Sequence, residues 1–184
     1  MKLMFAADIH GSLAATRRML AAYDASGAQW LVLLGDLLYH GPRNALPEEY
    51  QPAAVAELLN GYADRIIAVR GNCDSEVDQM LLTFPITAPW QQVLLENHTR
   101  LFVTHGHLFN PASHPPLRRG DVVVYGHTHI PQAERREDIL YFNPGSVSLP
   151  KGGFAASYGL LEQEILRVVS LETSETIAQV AINH

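Results

Sequence analysis

The sequence contains very little cysteine, since Cys73 is the only one among 184 residues. An internal disulfide and a cysteine-based zinc cluster are therefore both excluded, and the composition fits a reducing compartment. Any metal ion bound by this chain has to be held by His, Asp, Glu or Asn side chains.

Long apolar runs are absent as well. No stretch approaches the ~18 residues of a membrane-spanning helix, and the N-terminal segment reaches Asp8 and His10 too early for a signal peptide. We therefore expect a cytoplasmic protein that has no membrane partner. A hydrophobic content of 47% predicts a substantial core and favours one domain over residues 1–184.

Positive charge is also scarce. The chain has 13 Lys and Arg against 19 Asp and Glu, which gives a net charge of −6. No cationic cluster is longer than a pair such as Arg118-Arg119 or Arg135-Arg136. Extended nucleic acids bind through many cationic contacts, so we do not expect them as partners, and a nuclease is disfavoured for the same reason.

Short apolar runs dominate what is present, and their length is that of β-strands. Five of them predict strands buried on both faces: Leu3 to Ala7, Leu31 to Leu34, Ile66 to Val69, Leu101 to Val103 and Val122 to Tyr125. Helical patterns separate the first three. Ser12 is a candidate cap for an Ala-rich helix that ends near Asp24 to Gly27, and a second helix ends at Asn60-Gly61. The chain thus begins as β-α-β-α-β.

From about Thr87 onward, strands follow one another closely. The predicted segments are Gln91 to Leu95, Ile139 to Phe142, Ala155 to Leu161, Ile165 to Leu171 and Ile177 to Ile182. A βαβ front half beside a strand-rich back half predicts two packed sheets flanked by helices, a single-domain α/β sandwich.

Polar residues stand at the carboxyl end of each of the first five runs: Asp8-Ile9-His10, Gly35-Asp36, Gly71-Asn72-Cys73-Asp74, His105-Gly106-His107 and Gly126-His127-Thr128-His129. Ligand sites of α/β sheets lie at such strand ends, so we expect the five segments to converge. If the extended conformation persists, residues i and i+2 face the same way and each D-x-H or H-x-H pair presents two side chains to one cavity.

The candidate metal ligands are mixed in chemistry, with carboxylate, amide and imidazole donors: Asp8, His10, Asp36, Asn72, His105, His127 and His129. Such a set suits Mn²⁺, Fe²⁺, Co²⁺ or Zn²⁺ better than Ca²⁺. Seven ligands exceed what one transition ion takes from a protein, so we expect two ions and a positive pocket that attracts an anionic phosphate.

The ordered motifs D-x-H, G-D, G-N-x-D, H-G and G-H-x-H resemble those of the calcineurin-like metallophosphoesterases, over roughly residues 5 to 146 that include Asn143-Pro144-Gly145-Ser146. The short chain is most similar to the small bacterial phosphodiesterases of this superfamily. The resemblance implies a four-layer α/β fold and hydrolysis of a small phosphodiester by in-line attack of a metal-bridging hydroxide. It assigns Asp36 to both ions, and it gives one ion Asp8, His10 and His129 and the other Asn72, His105 and His127. Two divalent ions are implied, Mn²⁺ first, with Zn²⁺, Fe²⁺, Co²⁺ and Ni²⁺ as alternatives.

Cys73 departs from the superfamily pattern, which usually has His at this position to contact the phosphate and assist the leaving group. A neutral thiol supplies neither the proton nor the charge of a protonated His, which favours diesters over monoesters. The catalytic candidates are Asn72, Cys73, Asp74 and His105. Asp74 is also a candidate N-cap of a helix through Met80.

Three further residues are candidates for substrate contact: His40, Arg43 and His107. For the first two a surface loop is an equal alternative, and His107 could instead support the ligands or simply pack. Two functional alternatives also stay open, a phosphomonoesterase and a non-catalytic scaffold such as the vacuolar-sorting subunit of similar fold. A homo-oligomer is open too.

Overall fold

The computed structural model describes residues 1–182 and consists of two mixed β-sheets with helices. The front half forms β1 (Leu3–Ala6), α1 (Leu13–Ser26), β2 (Trp30–Leu33), α2 (Pro52–Asn60), β3 (Ile66–Ala68) and α3 (Glu76–Leu81). The back half forms β4 (Trp90–Leu94), β5 (Arg100–Thr104), β6 (Val122–Val124), β7 (Gln132–Arg136), β8 (Ile139–Asn143), β9 (Ser157–Glu162), β10 (Ile165–Ser170) and β11 (Thr176–Ala181).

The first sheet has the order β11-β10-β9-β1-β2-β3, in which β1, β2 and β3 are parallel. The second sheet has the order β4-β5-β6-β8-β7, in which β5, β6 and β8 are parallel and the two edge strands are antiparallel. The predicted two-sheet α/β sandwich is therefore confirmed. In both sheets, the parallel strands carry the polar segments at their carboxyl ends.

The core lies in layers. Between the sheets, the rings of Phe5 and Phe142 meet edge to face with centroids 5.7 Å apart. Outside the first sheet, α1 and α2 bury Met19 and Val55 against it. Residues 83–182 contain no α-helix that could cover the outer face of the second sheet. The loop around Leu117 packs against that face instead.

Local signals explain where α1 begins and ends. The Ser12 side chain accepts a hydrogen bond from the Ala15 N–H at 3.2 Å, which caps the helix as predicted. Gly27 follows the last turn with a φ of 70°, a left-handed conformation that glycine adopts without a Cβ penalty.

Helix α3 begins one residue later than predicted, so the cap assigned to Asp74 is wrong. Ser75 is the N-cap, and it forms a capping box in which its hydroxyl accepts from Asp78 N–H and the Asp78 carboxylate accepts from Ser75 N–H. The Asp74 carboxylate is engaged elsewhere, in the candidate site.

Strand β7 was not predicted, because Gln132–Arg136 has no apolar alternation. It pairs with β8 along the edge of the second sheet, where polar side chains meet solvent. Among residues 1–182, no helix is both long and apolar enough to cross a membrane.

Candidate metal centre

All seven predicted metal-ligand residues lie at one edge of the sandwich, each in a loop that directly follows a parallel strand. Asp8 and His10 follow β1, Asp36 follows β2 and Asn72 follows β3, while His105 follows β5 and the pair His127 and His129 follows β6. Two groups of their donor atoms lie within 4.8 Å of one another: Asp8 with His10 and His129, and Asp36 with His105 and His127. The predicted convergence of the strand ends is confirmed.

The first group has the spacing of atoms that share one ion. Nε2 of His10 lies 3.3 Å from Nε2 of His129, and Asp8 Oδ1 lies 3.8 and 3.5 Å from these two nitrogens. Ligands bound at 2.0–2.2 Å are separated from one another by about 3–3.5 Å. The Asp8 Oδ1 atom is buried and has no hydrogen-bond partner among residues 1–182. A cation is the partner that would compensate its burial.

The second group is equally compact. Nε2 of His105 lies 3.3 Å from Asp36 Oδ2, 3.0 Å from Asn72 Oδ1 and 3.2 Å from His127 Nδ1. Imidazole nitrogen, carboxylate oxygen and amide oxygen therefore converge on one point. This donor chemistry fits a divalent transition ion.

Asp36 lies between the two groups. Its Oδ2 atom is 3.7 Å from His10 Nε2 and 3.3 Å from His105 Nε2. Its other oxygen, Oδ1, accepts the N–H of Cys73 at 2.8 Å, which fixes the rotation of the carboxylate. One oxygen of Asp36 thus faces both groups, which is the geometry of a bridging ligand.

Backbone carbonyl groups orient three of the histidine rings. Nδ1 of His10, His105 and His129 lies 2.9, 2.6 and 2.6 Å from a carbonyl oxygen, those of Tyr39, Leu34 and Leu149 respectively. An Nδ1–H that donates to a carbonyl leaves the lone pair on Nε2, the atom that points into the site.

Burial and neighbouring charges set the protonation of the site. Burial lowers the pKa of His129 to about 4 and also lowers the pKa values of His10 and His127, which keeps these rings neutral as metal ligands must be. Burial raises the pKa of Asp8 to about 7. For His105, burial acts against the charged form, but the hydrogen bond to Asp36, the charges of Asp8 and Asp36 and the Leu34 carbonyl together outweigh it and raise the pKa to about 9.

Asp36 is ionised despite its burial. Burial alone would raise the pKa of this carboxyl group, but the hydrogen bond and charge of His105 and the N–H of Cys73 hold it well below its usual range. The site therefore keeps a fixed negative charge on the oxygen shared by the two groups.

The backbone of this site is not extended as the sequence interpretation assumed. Five of the seven residues have left-handed backbone, with φ of 57° at Asp8, 50° at His10, 56° at Asp36, 68° at His127 and 59° at His129. The expectation that residues i and i+2 project together from a continuing strand is wrong, because each strand ends first. Such conformations cost about 1 kcal/mol or more each and persist only where surrounding contacts enforce them.

Hydrogen bonds from residues near position 145 help to hold this left-handed backbone in place. The Ser146 and Ser148 hydroxyls both donate to the Asp8 carbonyl oxygen at 2.8 Å, and Asn143 Nδ2 donates to the Gly126 oxygen at 3.0 Å. The sequence interpretation included Asn143 and Ser146 in the resemblance without a role, and it missed Ser148. A serine two residues beyond the motif carries no readable signal by itself.

Asp74 fastens two ligand-bearing loops together. Its carboxylate accepts the N–H groups of Asp36 at 2.9 Å, Leu37 at 2.9 Å and Gly71 at 2.7 Å. Burial raises its pKa, while these hydrogen bonds favour the charged form. The Asp74 carboxylate therefore positions these two loops, and the N-cap of α3 is Ser75.

A cavity of about 770 Å³ opens over the two groups. Arg43, Cys73 and Lys151 line it, together with His10, Asp36, Asn72, His127 and His129. Burial and the charge of Asp36 raise the pKa of the Cys73 thiol to about 12, so it is neutral in the metal-free protein. Lys151 was not singled out from the sequence, because an exposed lysine in a Gly-rich loop gives no local pattern.

The other two predicted substrate contacts lie beside the cavity. The His40 ring packs edge to face against Tyr39 and Tyr50, with centroids 4.8 and 5.2 Å away. The His107 ring packs against His105 and His127 at 5.3 and 6.2 Å. These contacts favour packing and support for His40 and His107, and Arg43 is the one of the three that faces the cavity.

Comparison with known proteins agrees with this geometry. Phosphodiesterase YfcE of Escherichia coli (strain K12) is 68% identical over 183 residues, which are 100% of this chain and 99% of YfcE. A solved structure of YfcE, described as a phosphoesterase from E. coli, has a TM-score of 0.98 and covers 100% of both chains at 68% identity. A structure of a Vps29 variant from Entamoeba histolytica shares the fold, with a TM-score of 0.65 and 18% identity over 100% of both chains. The calcineurin-like phosphoesterase superfamily domain matches residues 1–164. The chain belongs to the calcineurin-like phosphoesterase superfamily.

Proposed function

We propose that this protein is a metal-dependent phosphodiesterase that hydrolyses small phosphodiesters with two divalent ions. One observation carries the proposal: Asp36 Oδ2 faces two compact donor groups at 3.7 and 3.3 Å, below a cavity of about 770 Å³. The extensive identity with a protein named as a phosphodiesterase supports the choice of substrate class.

The candidate ligands form two sets, one for each ion. Asp8, His10 and His129 would hold one ion, and Asn72, His105 and His127 the other, with Asp36 between them. When bound, the ions would supply activation of a water nucleophile and neutralisation of charge on the phosphoryl oxygens. The chain itself orients the donors, through backbone carbonyls at three histidines and through Asp74 beneath Asp36.

Manganese is the ion that we propose first. The ligands mix hard oxygen with imidazole nitrogen, which also suits Zn²⁺, Fe²⁺, Co²⁺ and Ni²⁺. The cavity is lined by residues of both groups, and the water and the substrate would reach the ions from this side.

A phosphomonoesterase is the second candidate, and the Cys73 thiol argues against it. This side chain lines the cavity as a neutral group, so it gives a departing alkoxide neither a proton nor a compensating charge. An activated diester needs such help least.

A non-catalytic scaffold is the third candidate, and the similarity to Vps29 concerns the fold alone. All seven donors are present here, and Asp8 Oδ1 is buried without a partner. A scaffold would gain nothing from this costly arrangement. Within the described part of the chain, only Arg43 and Lys151 of the thirteen Lys and Arg side chains line the cavity, which also argues against a nuclease with an extended nucleic-acid partner.

We further propose a small anionic phosphodiester as partner, a cytoplasmic location, a homo-oligomer, and one domain over residues 1–184, of which 183–184 lie outside the described part.

A substrate and metal screen tests the proposal. Metal-free protein supplied in turn with Mn²⁺, Co²⁺, Ni²⁺ or Zn²⁺ would be assayed with matched aryl and nucleotide diesters and monoesters. We expect metal-dependent turnover with a higher kcat/KM for diesters. A preference for the monoester of each pair would favour the second candidate, and no turnover with any ion would favour the scaffold.

A further inference from the structure

Two cations in the cavity wall have no carboxylate partner. Among residues 1–182, eight of the thirteen Lys and Arg side chains lie within 4.0 Å of an Asp or Glu oxygen, from Lys2 with Glu162 to Arg136 with Glu134. Arg43 and Lys151 form no such pair, and both line the cavity. An acidic protein thus leaves two positive charges unpaired beside its candidate metal centre.

Each of these cations belongs to a segment that is fixed against the site. The Lys151 N–H donates to the carbonyl oxygen of His129 at 3.1 Å. Arg43 lies in a turn in which Asn44 Nδ2 donates to the His40 carbonyl oxygen at 2.8 Å. The turn approaches Cys73 so closely that a Cβ at Gly41 would lie 3.1 Å from Sγ. The two cations are therefore brought to the cavity by different loops, each anchored to site residues.

The charge balance shows what these cations could bind. Two divalent ions bring four positive charges, and Asp8, Asp36, the adjacent Asp74 carboxylate, the nucleophile and a diester monoanion together offset all of them. The ions therefore leave no positive charge for a second anionic group. Arg43 and Lys151 supply such charge, and two cations suit a phosphate group, which carries about −1.5 to −2 at pH 7.

We propose that the substrate is a phosphodiester with a second phosphate group on one ester arm, which Arg43 and Lys151 bind. The inference rests on the proposed function and specifies its substrate class. Arg43 offers a planar fork that suits two phosphate oxygens, and Lys151 offers a point charge. The cavity is large enough for a nucleotide-sized ligand, since small-molecule sites span about 300–1,000 Å³.

A matched pair of esters tests this inference. The p-nitrophenyl ester of thymidine 5′-phosphate and its 3′-phosphorylated form share the scissile diester and the leaving group, and they differ only in the second phosphate. We expect the Mn²⁺-loaded protein to favour the 3′-phosphorylated ester in kcat/KM by about ten- to hundredfold. Arg43→Gln and Lys151→Gln should each reduce this preference by about tenfold.

Binding gives a second readout that needs no turnover. Calorimetry with thymidine 3′,5′-bisphosphate and thymidine 5′-phosphate should show the same preference in Kd, and the same loss in the two variants. Arg118→Gln is the control, because Arg118 is exposed, has no carboxylate partner and lies outside this cavity. It should keep the preference.

The outcomes separate the two proposals. Equal kcat/KM and equal Kd for the paired ligands would overturn the inference while leaving the phosphodiesterase intact. A preference that survives in the Arg43→Gln/Lys151→Gln double variant would overturn the assignment to these residues. If neither ester is hydrolysed, the proposed function fails, and the two binding constants still decide whether a second phosphate is recognised.

Discussion

Cys73 stands between Asn72 and Asp74 in the cavity wall, and its neutral thiol predicts a preference for good leaving groups. Cys73→His places a donor with a pKa near 6.5 at this position. General acid assistance is worth about 10²–10⁴-fold for poor leaving groups, so the ratio of monoester to diester kcat/KM should rise, most for alkyl esters. Measuring both substrate classes decides the matter, and an unchanged ratio would show that residue 73 does not set the preference. Cys73→Ser should keep diester turnover, because no cysteine nucleophile is used.

One oxygen of Asp36 faces both donor groups, at 3.7 Å from His10 Nε2 and 3.3 Å from His105 Nε2. Asp36→Asn removes the negative charge of the bridge, so we expect it to deplete both ions and to reduce diester turnover more than Asn72→Ala does. Asn72→Ala serves as the comparison, since Asn72 Oδ1 lies only in the group of His105. Metal analysis of the purified variants is the measurement. Loss of a single ion in Asp36→Asn would contradict bridging.

His129 gives the metal-free protein a defined pH dependence. Its folded-state pKa of about 4 lies below the 6.5 of the free side chain, so the unfolded chain takes up this proton first as the pH falls. His129 therefore lowers the free energy of unfolding between pH 6.5 and about 4, by at most about 3 kcal/mol. Denaturation of wild type and His129→Gln across this window should show a steeper loss for wild type. Parallel curves would contradict the low pKa.

At the scale of elements, the turns after the strands form the site. The sequence was sufficient to identify which strand ends bring the candidate ligands together, because apolar runs followed by D-x-H or H-x-H are local signals. It was not sufficient to predict their left-handed backbone, since that depends on distant partners. The Asp8 carbonyl oxygen, for example, is held by Ser146 and Ser148, about 140 residues away along the chain.

Gly71 permits the close approach of two of these turns. A Cβ on this residue would lie 2.1 Å from Asp36 Oδ1 and 2.4 Å from Asp36 N. Gly71→Ala should therefore displace Asp36, lower the free energy of unfolding by about 1–3 kcal/mol and reduce the bound metal.

A matched control for this change is Gly61→Ala, where the nearest atom to the added Cβ is the Leu58 carbonyl oxygen at 3.3 Å and φ is −64°. Its free energy of unfolding should change by less than about 1 kcal/mol. Chemical denaturation and metal analysis of both variants provide the comparison. A fully metallated Gly71→Ala protein would show that the contact is not required.

Two elements show why sequence patterns were insufficient elsewhere. Strand β7 is polar along its length and is stabilised by pairing with β8, a tertiary contact that alternation cannot reveal. Helix α3 was predicted to be capped by Asp74, but Ser75 caps it, because three N–H groups already occupy the Asp74 carboxylate. Two of these N–H groups belong to Asp36 and Leu37, 38 and 37 residues away along the chain, whereas β7 pairs with β8, the next strand.

For the whole molecule, the sandwich brings five strand ends to one edge, and this arrangement could be predicted from order and composition. The cavity above that edge could not be predicted, because its cations lie in loops that have no recognisable sequence motif. Arg43 was one of several loop candidates, and Lys151 was recognised only from its place in the wall. The metal-ligand roles themselves stay predictions of the site geometry and the resemblance.

The central claim is that two ions together make one catalytic site, and a single titration tests it most directly. Metal-free protein would be titrated with Mn²⁺ while the bound ions are counted and hydrolysis of an aryl diester is followed in the same samples. We predict no turnover without metal, two bound equivalents at saturation, and activity that rises with occupancy of the second. Undiminished turnover in metal-free protein, or full turnover with only one bound equivalent, would contradict the account.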